Sequence, residues 1–181
     1  MIDAGWLLIA PPNMPDPRFK QTVILLTQHG INGTQGLCIN KPAPNTVNTL
    51  IEPLGHSLAD DHQIYWGGPV ATTTLWLLHE NTWTSENTME INDDWALTSS
   101  LQMFDQITLD PPREQRYCIG LASWAPGQLE AELQGDQKWS REASWLLAHS
   151  PGPSDLFQIP TRDLWAFCCE LSGKEAVANW F

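Results

Sequence analysis

Five short stretches carry residue types capable of chemistry. His29 ends the run "VILLTQHG", and Asn40-Lys41 ends "QGLCINKP". An imidazole there can move a proton or ligate a metal, and the amide–ammonium pair can hold an anionic group. If the two runs pair as a hairpin, His29 falls at its turn end and Lys41 at its far end. Each residue of strand adds about 3.3 Å, so the hairpin alone does not join them. The plainer reading of His29 is a strand-end imidazole bonded to a loop carbonyl, since no metal-ligand spacing accompanies it. Asn40 reads equally as a side chain capping the turn before Pro42. Gly67-Gly68 follows "IYW" and can gather backbone N–H groups into an anion nest. No Gly-Lys-Ser/Thr and no clear helix start follow, which favours a tight corner where two strands pass closely. His79, beside Glu80, closes "TTLWLLHE" and invites a pairing with His29 for metal or acid–base work. A zinc site needs three or four ligands, and that spacing is missing. The fifth stretch is "IGLASWAPGQLEAEL", residues 119–133. It reads as an apolar strand, a sharp turn and a polar helix start. Gln128 and Glu130 fall in the first helical turn, where amide and acidic side chains suit the positive helix end. Their functional reading is that they line a groove at the carboxyl end of the strand.

Several chemistries have no signature. GxSxG, HExxH and Cys-His nucleophile patterns are absent from the sequence. Cys38 and Cys118 lie inside apolar runs, where a small buried hydrophobe is the expected role. Cys168 and Cys169 are adjacent, pointing about 100° apart on a helix, which suits neither a disulfide nor a shared metal. No metal and no cofactor are expected. Ser123 is expected as a small residue packed between layers, on the face of Leu121 and Ile119 by strand alternation. The formal net charge is −12, and the nine basic residues never form a run. Direct nucleic-acid binding, which relies on clustered phosphate contacts, is therefore not expected. Ten tryptophans raise the prospect of an interaction surface beside the core they must help to fill.

The elements that must position these residues follow from hydrophobic period and breakers. Strands are expected over 5–12, 21–30, 35–42, 62–70, 73–80, 88–93, 116–124 and 143–150, with Asn32-Gly33 as the hairpin signal between the second and third. Helices are expected over 45–55, capped by Asn45 or Thr46 and closed by Gly55, and over 97–107, capped by Thr98 or Ser99. Others start from Gly127 and run over 160–173, the last with Thr161 as cap and Gly173 as stop. Strands and helices mix without regular alternation, which indicates an α+β fold in one domain spanning 1–181. No basic leader and no apolar run of about 20 residues is present, so a cytoplasmic protein away from membranes is expected.

In their order and spacing, "GWLLIAPPNMPDPRFKQTVILLTQHGINGTQGLCINKP", "IYWGGPV", "LLHE", "IGLASWAPGQLEAEL" and "SDLF" resemble the AlgH/YqgE-like family of bacterial proteins, from about Gly5 to Gly173. The resemblance implies a compact α+β fold with a mixed, mostly antiparallel, bent sheet approaching a pseudo-barrel with flanking helices. It implies no secure reaction, and a regulatory role only through the family name. Cys38 stands where an aliphatic residue is usual, which supports a core role. Leu121 stands where Tyr is usual, so any pocket that Tyr shapes in relatives is altered here. The expectation is a non-catalytic binding or regulatory protein taking a protein partner or small ligand, with His29, Asn40, Lys41, Gly67, Gly68, His79, Gln128 and Glu130 as candidate contacts. The alternative is a hydrolase of a small anionic substrate, which requires several of His29, Lys41, His79 and Gln128 around one cleft.

Overall fold

Apolar, β-branched runs bounded by Pro and Gly form most of the strands. The computed structural model describes residues 2–135 and 144–178. Its strands are β1 (Trp6–Ile9), β2 (Val23–Gly30), β3 (Gly33–Cys38), β4 (Pro42–Thr46), β5 (Gln63–Trp66), β6 (Val70–Glu80), β7 (Thr88–Glu90), β8 (Trp95–Thr98), β9 (Gln115–Trp124) and β10 (Leu146–His149). Its helices are α1 (Val47–Ile51), α2 (Gln102–Leu109), α3 (Gln128–Leu133), α4 (Pro153–Leu156) and α5 (Thr161–Ala178). The strands order as β10-β1-β2-β3-β9-β6-β8-β7, with β4 and β5 leaving this path. Every pairing is antiparallel except β5 with β9.

Strand β9 is the branch point. On one side it pairs with β6 along most of its length, from Gln115↔His79 to Leu121↔Val70. Its first half also pairs with β5, and its last three residues pair with β3. A strand serving three partners bends the sheet, and the result is a mixed α+β fold with the sheet curled into a half-barrel. Both faces of β9 are consequently buried. Cys118 and Leu121 join Leu25, Leu37 and Leu78 in one cluster, and Tyr117 packs with Ile51, Leu77 and Phe104 in another. Ala122 and Trp124 belong to a third, with Leu8, Leu26 and Leu129.

Several local expectations are corrected. Residues 97–107 are not one helix: Leu97 and Thr98 belong to β8, and α2 begins only at Gln102. Neither Thr98 nor Ser99 caps it; Ser100 Oγ accepts the Met103 N–H at 3.2 Å instead. Gly173 does not stop the last helix, which runs through it to Ala178. Pro42 ends no structure, since it opens β4, which pairs only with β5 as an edge strand tolerates. The β2–β3 loop is Ile31-Asn32, with Gly30 paired to Gly33. Alternation along β9 breaks at Gly120, whose φ is +76°, so Leu121 leaves the face of Ile119 and Ser123 is exposed rather than packed between layers. Ala143, within the expected last strand, lies outside the described residues, and that strand begins at Leu146.

Candidate functional site

The turn after β9 draws three predicted residues together. Pro126 and Gly127 turn the chain, and Gln128 opens α3. The Gln128 amide oxygen accepts the Ala125 N–H at 3.0 Å, while its nitrogen donates to Glu132 Oε1 at 2.9 Å. The other Glu132 oxygen accepts two indole N–H groups, Trp124 at 3.1 Å and Trp145 at 2.9 Å. Glu132 is thus a three-donor carboxylate that ties the strand end, the helix and the approach to β10. Its signal in the sequence is the i,i+4 spacing from Gln128, which places both on one helix face. Across the turn, Glu130 Oε1 lies 3.6 Å from His29 Nε2, and His29 Nδ1 meets Thr34 Oγ1 at 2.8 Å. The partners of His29 are therefore a hydroxyl and a carboxylate rather than a loop carbonyl. Gln128 spends both ends of its amide on the protein, which makes the turn a clasp.

The remaining predicted residues lie elsewhere. Asn40 is buried; its oxygen accepts the Val23 N–H at 2.9 Å and its nitrogen donates to the Gln21 carbonyl at 2.8 Å. It substitutes for backbone pairing where β2 begins, and does not cap a turn. Lys41 Nζ donates to the Lys20 carbonyl of the same segment. Gly67 donates its N–H to Ile119 O at 2.7 Å, and Cys38 donates to Gly67 O at 2.9 Å. A Cβ on Gly68 would stand 2.1 Å from the Leu121 carbonyl carbon, so this pair forms a close backbone crossing. His79 is fully buried, with Nδ1 2.8 Å from the Glu80 carbonyl and Nε2 2.9 Å from Thr98 Oγ1. Burial holds its proton affinity below the ordinary histidine value. Burial also pushes the thiols of Cys38, Cys118 and Cys168 up to about 12, leaving them neutral at physiological pH.

Strand β9 measures the separation of the two histidines. His79 lies opposite Gln115 at its start, whereas His29 reaches Trp124 at its end through Thr34. Nine residue steps of strand span roughly 30 Å, so they form no pair. His29, Lys41, His79 and Gln128 do not surround one cleft. Among the described residues no tryptophan is exposed, so they form no tryptophan-rich interaction surface.

A different cation stands in a cleft. Arg116 points from β9 to the Cys118 side and is only 7% exposed. Its Nη1 donates to the Ile39 carbonyl at 2.6 Å, and its guanidinium carbon lies 4.3 Å from the Phe157 ring centroid and 4.8 Å from that of Tyr65. Among the described residues no carboxylate lies within ion-pair distance of it. Desolvation pushes the guanidinium below its ordinary value, with the Tyr65 and Cys118 side chains acting the other way. The adjoining cleft holds about 370 Å³ and includes His62, Gln63, Arg113 and Glu114 in its wall. The two Glu80 oxygens accept the Arg113 and Glu114 N–H groups at 2.8 and 2.7 Å, which fixes the loop that carries Arg113. Such a cleft can bind an anion, because a guanidinium with five donors has one acceptor among the described residues, the Ile39 carbonyl. The sequence signal was a lone arginine opening an apolar strand, with alternation placing it beside Cys118 rather than toward water.

Among the described residues, no group of three or more His, Cys, Asp or Glu side chains is arranged to hold a metal ion. The comparisons with known proteins agree on kinship and leave chemistry open. The family model described as DUF179, AlgH-like, matches residues 7–176. A UPF0301 protein of Ruegeria pomeroyi is 34% identical over 179 residues, covering 96% of this chain and 93% of that protein. One from Azoarcus is 36% identical over 164 residues, covering 86% and 81%. The solution structure of the AlgH protein from Pseudomonas aeruginosa superposes with a TM-score of 0.76 at 31% identity, covering 94% of this chain and 88% of that one. A crystal structure of a Corynebacterium diphtheriae protein shares the fold, with a TM-score of 0.71 at 22% identity and coverage of 91% and 84%. Matched along nearly its whole length in sequence and in fold, the chain belongs to the AlgH-like family.

Proposed function

We propose that this chain is a non-catalytic binding protein of the cytoplasm with a regulatory role, and that its ligand is a small anion held at the Arg116 cleft. The observation that carries the reading is a buried guanidinium with no carboxylate partner among the described residues, beside a cleft that also carries Arg113. Burying a charge is costly unless it is paired, and stacking on two rings, worth about 2 kcal/mol each when desolvated, gives the guanidinium N–H groups no acceptor. A carboxylate or phosphate ligand completes the pairing with two parallel hydrogen bonds. The overall charge of −12 repels anions in general, so uptake at this cleft is expected to be specific and saturable. The hydrolase reading draws no support from the geometry, because the residues it needs lie apart. The cytoplasmic assignment rests on free cysteines and on the absence, among the described residues, of a helix long and apolar enough to cross a membrane.

Thermal unfolding in sodium phosphate and in sodium citrate, against sodium chloride at matched ionic strength, tests the binding. A ligand at about a hundred times its Kd stabilises by roughly 2.7 kcal/mol, a rise of several degrees in Tm. The rise is expected to saturate in the unaltered protein, to weaken in Arg113→Gln and to vanish in Arg116→Met. An equal response to all three salts, or an unchanged response in folded Arg113→Gln and Arg116→Met, would reject the cleft as the site.

A further inference from the structure

The wall of the Arg116 cleft carries charges of both signs, and all of them come from one stretch of chain. Arg116 is buried, Glu114 half-buried and Arg113 exposed, so the three step from the floor of the cleft toward its mouth. The Arg113 and Glu114 N–H groups are held by Glu80, which spends both of its oxygens on them. Among the described residues, the side chains of Arg113 and Glu114 make no ion pair and no hydrogen bond, with each other or with Arg116. The uncharged amides beside them are already used. Gln63 donates to the Ala43 carbonyl at 2.6 Å and to the Ile64 carbonyl at 2.7 Å, and Gln115 accepts the Tyr117 hydroxyl at 3.0 Å. Selection in this cleft therefore falls to two cations and one anion that do not neutralise one another.

We propose that the ligand of this cleft is an acidic α-amino acid of the size of glutamate. One carboxylate pairs with Arg116 at the floor and the other with Arg113 at the mouth, while the ammonium group pairs with Glu114. This assignment rests on the reading that Arg116 holds an anionic group, and it adds what the rest of that ligand carries. Phosphate or a simple dicarboxylate satisfies the arginines but sets its negative charge beside Glu114, where like charges repel. An amino acid with a neutral side chain leaves Arg113 unused. The ammonium group also lowers the negative charge that the ligand brings toward a chain of net charge −12. Size permits it, since a cavity of about 150 Å³ holds benzene and this cleft has about 370 Å³.

The test is calorimetric titration of the full chain with L-glutamate, glutarate and L-glutamine at constant ionic strength. Glutarate lacks only the ammonium group, and glutamine only the charge on the side-chain carboxyl. Losing one hydrogen bond to a charged group costs about tenfold in affinity or more, so glutamate is expected to bind about tenfold more tightly than either. Glu114→Gln is expected to remove the preference over glutarate and keep that over glutamine, and Arg113→Gln to do the reverse. Both side chains reach solvent, so both variants are expected to fold. Glutarate or glutamine binding as tightly as glutamate overturns the assignment, as does either preference persisting in the variant that should remove it. Glutamate failing to bind a protein whose Tm still rises in phosphate through Arg116 overturns the assignment alone and leaves the anion reading standing. No saturable response to glutamate, glutarate or phosphate rejects the cleft itself, and the assignment with it.

Discussion

Burial lowers the proton affinity of His79, and its hydrogen bonds fix where its one proton sits. The Glu80 carbonyl only accepts, so Nδ1 carries the hydrogen and Nε2 accepts from the Thr98 hydroxyl. Thr98 Oγ1 lies 2.6 Å from Thr88 Oγ1, which itself accepts the Ser85 N–H at 2.9 Å, and the chain of donors thus runs one way toward the imidazole. Protonating Nε2 would reverse that chain and bury a charge. With the folded-state value below the unfolded value of 6.5, the unfolded chain binds the proton first as pH falls. Stability from this residue is therefore complete above pH 6.5 and erodes as pH drops from there toward the folded-state value. Urea unfolding at about pH 7, 6 and 5 should show the unaltered protein losing stability faster than His79→Gln, by up to about 1.4 kcal/mol per pH unit. Parallel pH dependences would remove His79 from this role. Residue types were legible in the sequence but their partners were not. Asn40 looked like an anion ligand because the Val23 and Gln21 backbone groups it satisfies lie 17 and 19 positions away. Arg116 is an ordinary lone arginine in the sequence, because the absence of a carboxylate beside it among the described residues is a property of the fold. Glu132 shares a helix face with Gln128 by spacing, but the two indoles that close over it come from outside that helix.

Among the elements, the β5–β6 corner carries the tightest constraint. Gly68 and Gly120 cross backbone to backbone, and a Cβ on Gly120 would stand 2.3 Å from the Gly68 carbonyl oxygen. Both take positive φ, +150° and +76°, which L side chains avoid. The crossing lies where β9 passes from β6 to β3, and so shapes the curl of the sheet. Gly68→Ala should cost more than about 4 kcal/mol, because the obstructing atoms are backbone and cannot rotate aside. Gly152, where an added Cβ meets nothing within 4 Å and φ is −61°, is the control. Gly152→Ala should unfold within about 0.5 kcal/mol of the unaltered protein, and a similar small loss in Gly68→Ala would show that the corner yields. Elements were legible where period and breakers agreed, as in β2, β3 and β9. They were misread where the two conflicted. Strand β8 has only four residues, and the helical spacing after it ran back over Leu97 and Thr98. Strand β4 carries Pro42 and Pro44 and was missed, because an edge strand tolerates prolines that a central strand would not. Glycine weakens a helix without ending one, and α5 continues through Gly173.

At the scale of the whole molecule, charge was fully legible and topology was not. An α+β sheet followed from mixed runs of period two and period 3.6, but β9 serving three strands depends on contacts remote in sequence. Charge adds up without such contacts: 21 acidic residues face nine basic ones. Among the described residues few of the acids are locally compensated. The ion pair of Arg18 with Asp16 at 2.7 Å is exposed, and three of the other pairs among the described residues set a carboxylate against a histidine rather than a lysine or arginine. Net repulsion therefore opposes the compact state more than attraction between pairs supports it. Raising sodium chloride from about 10 mM to about 100 mM shortens the screening length from about 30 Å to about 10 Å, within the width of the molecule. Thermal unfolding at physiological pH should then show Tm rising by a few degrees, gradually and without saturation. The rise should persist in Arg113→Gln, because screening acts on the summed charge and not on one cleft. A saturating, phosphate-selective rise that weakens in the same variant is the distinct signature of ligand binding, so the two effects separate in one set of melts. A Tm that falls with added chloride would mean that attractive pairs outweigh the repulsion after all.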